Sequence, residues 1–160
     1  MPDKLHKLDA TDLKILTELQ ADGRITNVEL ARRVGISAPP CLRRVRALEQ
    51  AGLIHGYHAD LNGRALGFSV TVFAMVGLDS QNEADLEAFE AHVKTHPIVR
   101  ECYMLNGEVD FMLKCVAPDL DAFQAFLTSH LTPAPHVASV KTSFVIRQAK
   151  AEPGVPLEKK

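Results

Sequence analysis

Five arginines and no acidic residue occupy positions 32–46: Arg32, Arg33, Arg43, Arg44 and Arg46. Guanidinium groups at that density suit phosphate oxygens, because each presents a planar fork of donors with a permanent charge. The signal is local. The whole chain carries 18 basic and 20 acidic residues, and its net charge of −2 taken alone argues against a nucleic-acid partner. Up to Gly63 the balance is 9 basic against 8 acidic, and beyond it 9 against 12. A patch, not the total, governs phosphate binding.

A second group with chemistry in it is Asn106-Gly107-Glu108-Val109-Asp110. Gly107 leaves backbone N–H groups approachable by a carboxylate, and Asp110 offers an acceptor for an ammonium. Those are the two complementary groups that an amino acid needs. Asn-Gly is equally a plain hairpin turn of type I′, so both readings stand for this pair. Glu108 and Asp110 resemble paired carboxylates, yet no nucleophile, cofactor loop or oriented base accompanies them; no catalytic residue and no cofactor are expected. His92 and His96 have metal-ligand spacing, but no glutamate completes a zincin pattern and Pro97 follows. A solvated or half-buried histidine pair is the better reading, and no metal is expected. Cys41, Cys102 and Cys115 are odd in number and lack a Cys-x-x-Cys pair, which disfavours a disulfide scaffold or zinc ribbon. Cys41 reads as a small packing residue before a redox switch.

The elements that must position the arginines are short helices. Leu13, Ile15, Leu16 and Leu19 recur at helical spacing after Asp9 or Thr11 as N-cap, and Gly23 punctuates the end. Thr26-Asn27-Val28-Glu29 has the form of a capping box, and Gly35 stands where a helix ends in a left-handed residue. Ser37 then caps a third helix whose first turn tolerates Pro39 and Pro40. Its expected inward stripe is Leu42, Val45 and Leu48, which turns Arg43, Arg46 and Gln50 outward with Arg44 flanking. Gly52 stops it, and residues 53–59 read as a strand or short wing. Three helices with a tight turn before the last form a helix-turn-helix, whose final helix enters the major groove of double-stranded DNA. Ser37, Ala38, Pro39 and Arg43 fall nearest the bases. The bland alternative, a three-helix packing unit with a solvated basic face, does not need an acid-free arginine cluster.

Asn62 to Gly67 looks like a linker. Phe68 to Leu78 alternates at period two, with Phe68, Val70, Val72, Ala74, Val76 and Leu78 on one face. The other face is half apolar, which suggests a cover from another subunit. Asn82 caps a helix running to His96, with Leu86, Phe89 and Val93 inward. Strands follow at Ile98 to Leu105 and Val109 to Val116. Asp119 caps a second helix with the stripe Leu120, Phe123, Phe126, Leu127 and Leu131, and Val137 to Arg147 closes as a strand. The order βαββαβ predicts an α+β fold, with a ferredoxin-like domain after the winged helix-turn-helix. The expected organisation is a DNA-binding domain at 1–60, a linker at 61–67, a second domain at 68–150, to which the family resemblance given below assigns effector binding and oligomerisation, and a frayed tail at 151–160.

With 46% hydrophobic and 24% charged residues, the composition is that of an ordinary globular protein. No apolar run approaches the ~18 residues of a membrane span, and Met1 to Lys14 lacks a hydrophobic signal core, so a cytoplasmic address and no membrane partner are expected.

Taken in order, several segments resemble the Lrp/AsnC family, the feast/famine transcription regulators of bacteria and archaea. The resemblance rests on Asp22-Gly23-Arg24-Ile25, Asn27-Val28-Glu29-Leu30 and Arg33-Val34-Gly35-Ile36-Ser37. Pro40-Cys41-Leu42-x-Arg44-Val45-Arg46-x-Leu48-Glu49 and Gly52-x-Ile54-x-Gly56-Tyr57 continue it, and Gly107-Glu108-Val109-Asp110-Phe111-x-Leu113-Lys114 supplies the C-terminal signature. It implies a sequence-specific regulator that pairs into dimers, commonly assembling to octamers, and that answers to an amino-acid effector held at interfaces between sensor domains. The DNA-contacting set it implies is Arg24, Arg32, Arg33, Ser37, Ala38, Pro39, Arg43, Arg44 and Arg46. The implied effector pocket is Met104, Asn106, Gly107, Asp110, Leu120, Ser143 and Phe144. Val109 departs from the family pattern, which often has an aromatic residue there. An architectural DNA-binding protein without an effector would use the same DNA surface and remains the alternative.

Overall fold

The computed structural model describes residues 8–157. The first residues of the expected 1–60 domain, Met1 to Lys7, and the end of the expected tail, Glu158 to Lys160, lie outside the described residues. The described residues divide into two compact units, 8–60 with 150–157, and Leu61–Ala149.

In the first unit the helices are α1 (Ala10–Ala21), α2 (Asn27–Val34) and α3 (Ala38–Gln50). Each begins where a short polar side chain can occupy orphan N–H groups. Asp9 accepts from the Asp12 N–H at 2.8 Å while Asp12 accepts from the Asp9 N–H at 3.2 Å, a reciprocal box. Thr26 accepts from the Glu29 N–H at 3.2 Å, but only half of the expected box forms because the Glu29 carboxylate is taken by arginines. Gly35 ends α2 at φ 80°, a conformation that costs a glycine little. Ser37 has the backbone of an N-cap, yet its hydroxyl makes no capping bond. Ile15, Leu30, Ala31, Val34, Cys41 and Leu48 form the core. The expected stripe on α3 needs correction: Cys41, Val45 and Leu48 face inward at a spacing close to 3.6, whereas Leu42 is 40% exposed. Burial pushes the Cys41 thiol up from its ordinary range, as suits a packing residue. The strand expected at 53–59 is not formed among the described residues, since a lone extended segment has no ladder to join.

The second unit opens with a 3-10 turn (Arg64–Leu66). It continues β1 (Val70–Leu78), α4 (Glu83–Lys94), β2 (Val99–Met104), β3 (Phe111–Ala117), α5 (Leu120–Phe126), a π-helical turn (Leu127–Leu131) and β4 (Val137–Phe144). The four strands form one antiparallel sheet in the order β2-β3-β1-β4, the ferredoxin-like arrangement. β1 pairs centrally with both neighbours, placing Val76 opposite Phe111 and Val72 opposite Cys115 and Phe144. Val72, Ala74 and Val76 are fully buried, as period two demands, and the alternate face of β1 is only half-buried. Phe89 and Val93 of α4 and Phe123 and Phe126 of α5 close over the buried face, with the Phe89 ring centroid 4.7 Å from that of Phe111. Asn82 and Asp119 cap the two helices through the Asp85 and Ala122 N–H groups. Leu120 does not join the expected stripe. It is 52% exposed, at the first position of α5.

Candidate nucleic-acid interface and effector recess

The acid-free arginine cluster is not acid-free in space. Arg32 makes a bidentate pair with Glu29, at 2.8 and 2.6 Å, one turn earlier on α2. Arg33 reaches Glu29 at 2.9 Å and Glu18 of α1 at 2.9 Å. Arg44 bridges α3 to the start of α1, contacting Asp9 at 2.8 Å and Asp12 at 2.7 Å. These pairs hold the Glu29 carboxyl down at about 2, through Arg32 first and then Arg33. They also raise the affinity of all three guanidinium groups for their protons. Arg33 and Arg44 thus tie helices of their own unit together, whereas Arg32 pairs within α2 and keeps its side chain 73% exposed.

Arg24, Arg43 and Arg46 are exposed and make no ion pair among the described residues. Pro39, Leu42, Arg43, Arg46, Ala47 and Gln50 line a shallow recess of about 340 Å³ along the outer face of α3. Exposed Leu42 and Ala47 give that face an apolar floor, although sequence periodicity assigns Leu42 to the interior. The turn that aims α3 is braced by Asn27, whose side-chain amide donates to the Ala38 carbonyl at 2.8 Å. Ser37, exposed and uncommitted, stands at the N-terminus of α3, where partial positive charge and free N–H groups favour an anion.

In the second unit, Met104, Asn106, Gly107 and Asp110 do come together. With Gln81, Leu86 and Leu105 they line a recess of about 210 Å³. Gln81 and Leu86 come from beyond β1 and from α4, and no local pattern could have pointed to them. Both Asp110 oxygens are already engaged, one by the Leu78 N–H at 2.7 Å and the other by the Gln81 amide at 2.8 Å. Asp110 therefore shapes the recess first, and any ammonium must share its remaining lone pairs. The loop is no two-residue I′ turn. Residues 105–110 bridge β2 and β3, closed by Leu105 N–H to the Asp110 carbonyl at 2.8 Å, and Gly107 does not take a positive φ. Nor does any atom stand within 4 Å of where a Gly107 Cβ would lie.

Leu120, Ser143 and Phe144 are not at this recess. Phe144 pairs with Val72 and Ser143 with Phe73, whereas Asp110 adjoins Phe111 opposite Val76. Four residues along β1 separate the two groups, about 13 Å at ~3.3 Å per residue. Phe144, half exposed, sets its ring edge-on to Phe123 with centroids 5.8 Å apart. The carboxylate pair Glu108 and Asp110 gains no base or nucleophile here. His92 and His96 lie 4.8 Å apart between ring centroids, His96 is also 4.8 Å from His130, and burial with the neighbouring rings lowers the His96 pKa. No cluster fit to hold a metal ion occurs among the described residues. No described helix is long and apolar enough to cross a membrane.

Comparison with known proteins gives two family matches that together span most of the chain: a winged helix-turn-helix DNA-binding domain over residues 8–55, and the Lrp/AsnC ligand-binding domain over residues 71–155. Among curated proteins, the leucine-responsive regulatory protein of Rhizobium meliloti is 58% identical over 144 residues, covering 90% of this chain and 92% of that one. The Bkd operon transcriptional regulator of Pseudomonas aeruginosa is 42% identical over 96% of this chain and 100% of its own length. Among solved structures, a transcriptional regulator from Neisseria meningitidis in complex with L-Met superposes with a TM-score of 0.89. It shares 38% identity, covering 94% of this chain and 97% of that one. The reading helix with its outward arginines and the recessed sheet domain are thus the two halves of a DNA-binding transcriptional regulator with a ligand-binding domain, not of an enzyme, and the chain belongs to the Lrp/AsnC family.

Proposed function

We propose that the protein regulates transcription in response to an apolar amino acid, held at the Met104–Asp110 recess and completed by a second copy of the chain. One observation carries the reading: Gly107 has neither a positive φ nor a crowding neighbour, so the fold of one chain does not require glycine there. Glycine leaves backbone within reach of a ligand carboxylate. Met104 and Leu105, both exposed, offer an apolar wall, and the Asn106 side chain offers donor and acceptor. Ser143 and Phe144 lie too far along the sheet to join this recess within one chain, and Leu120 does not line it, so these residues contribute only from a neighbouring copy. A shallow site rimmed by exposed apolar residues is stabilised by such a cover. That the Neisseria relative was solved with L-Met supports an amino acid as the ligand class.

On the DNA side, Arg43 and Arg46 grip phosphates or base edges, with Ser37, Ala38, Pro39 and Arg24 around them, and paired copies present two reading helices to successive major grooves. The test is calorimetric titration with each amino acid, run beside sedimentation velocity and DNA affinity. An apolar amino acid that binds and shifts assembly or DNA affinity is expected. Silence across all twenty would sink the effector reading and leave an architectural DNA-binding protein.

A further inference from the structure

The C-terminal residues do not behave as a loose end. After Val145 makes its sheet bond to the Thr71 carbonyl at 2.9 Å, the chain leaves the sheet, and from Lys150 onward it belongs to the helical unit. There Val155 meets Gln20 of α1 twice. The Gln20 amide donates to the Val155 carbonyl at 2.8 Å, and the Val155 N–H donates to Gln20 Oε1 at 3.0 Å. A primary amide copies a peptide group, so the pair has the form of a two-bond strand contact made by one side chain. The sequence Pro153-Gly154-Val155-Pro156 is built for it. Pro153 and Pro156 restrict their own φ and push Glu152 and Val155 towards extended backbone, which lowers the entropy lost on docking. Gly154 sits at φ 77°, and a Cβ there would run into the Gln20 side-chain amide. The positive φ favours glycine, and any Cβ there would displace the Gln20 amide from Val155. Leu157 N–H closes back on the Val155 carbonyl at 2.8 Å.

We propose that residues 150–157 are a strap that clips onto α1 through Gln20 and so restrains the DNA-binding unit by a second covalent crossing. The chain passes from the helical unit to the sheet unit at Asp60–Leu61 and returns at Ala149–Lys150. With the strap closed the helical unit is tethered at both crossings; with it open, only the first restrains it. Two hydrogen bonds at an exposed surface are weak enough to open thermally, which makes the strap a clasp and not a fixed element.

The test uses the full chain with Gly154→Ala and Gln20→Glu, singly and together. Gln20→Glu keeps the size but sets a carboxylate oxygen against the Val155 carbonyl. Limited trypsin digestion reads strap closure at Arg147 and Lys150. The protein has no tryptophan, so Val28→Trp at a 71% exposed site on α2 gives a reporter confined to the helical unit. Each variant is expected to speed cleavage after Arg147 and Lys150 by about tenfold: Gly154→Ala displaces the amide, and Gln20→Glu replaces one hydrogen bond by a repulsion. The double variant should be no faster than either single one, because both break the same contact. Combined with Val28→Trp, each should add a fast component to the anisotropy decay of the indole. Unchanged cleavage, or effects that multiply, would show that Gln20 and Gly154 do not form one clasp. Faster cleavage without a fast component would show a clip that restrains nothing; either result overturns the proposal.

Discussion

Of the arginines between 32 and 46, the ion-pair geometry separates two from three, and the separation has a measurable consequence. Arg43→Ala with Arg46→Ala removes the exposed guanidinium groups of α3 that make no ion pair among the described residues, while Arg44→Ala removes the bridge to Asp9 and Asp12. Each phosphate contact contributes about 0.9 to the slope of log affinity against log salt. In the proposed pair of copies, two arginines on each reading head give about four contacts, so the double variant should flatten the slope by about 3.6. Between about 50 and 200 mM salt, wild-type affinity should therefore fall roughly 150-fold more than that of the double variant. Arg44→Ala should leave the slope unaltered and instead lower the melting temperature, since it unfastens α3 from α1. The assay is fluorescence-anisotropy titration of a labelled duplex at four salt concentrations, with thermal melts of the same three proteins. Equal slopes for wild type and the double variant would remove Arg43 and Arg46 from the interface. A flattened slope in Arg44→Ala would mean that its ion pairs open to release it for DNA, contrary to the role assigned here.

Further outcomes follow from the same geometry. Gly107→Ala should leave the melting temperature unchanged and weaken amino-acid binding in calorimetry, because its Cβ meets no atom of its own chain. Phe89→Ala empties a fully enclosed site against Phe111 and should cost about 3–5 kcal/mol in denaturant titration. The Glu29 carboxyl, held at about 2 against an ordinary 4.5, contributes stability that is complete above pH ~4.5 and lost as pH falls towards 2; Glu29→Gln should remove this part of the acid transition in melts between those values. His96, whose pKa is lowered by burial and by His92 and His130, works the same way nearer neutrality: stability should decline as pH drops below about 6.5, and His96→Phe should flatten that decline. Burial pushes the Cys115 thiol up to about 12, so it should resist alkylation in the folded protein while exposed Cys102 reacts.

Much of the fold was legible because its signals are short-range. Asp9, Thr26, Asn82 and Asp119 cap the helices they were expected to cap, and the β1 alternation placed Val72, Ala74 and Val76 in the core. Each depends on neighbours within about four residues, where backbone geometry leaves few choices. The errors lie where a short-range rule is stretched. Leu42 and Cys41 differ by one position in helical phase, and the larger residue draws the expected stripe to itself. The Asn106-Gly107 pair has the composition of a tight turn, but the ladder between β2 and β3 ends at Met104 and Phe111, and the longer bridge relieves Gly107 of a positive φ.

The sequence by itself determined the helix-turn-helix, the βαββαβ order, the core faces and the two segments where chemistry concentrates, since periodicity and capping are properties of contiguous residues. Only the tertiary structure decided which charges are free. Arg44 meets Asp9 across 35 positions and Arg33 meets Glu18 across 15, so counting acids within 32–46 could not find them. The same holds for Gln81 beside Asp110, for the sheet length that parts Phe144 from Gly107, and for Val155 on Gln20 across 135 positions. Such contacts are fixed by how the elements pack, and a carboxylate or amide gives no sign along the chain of the partner that packing will bring to it.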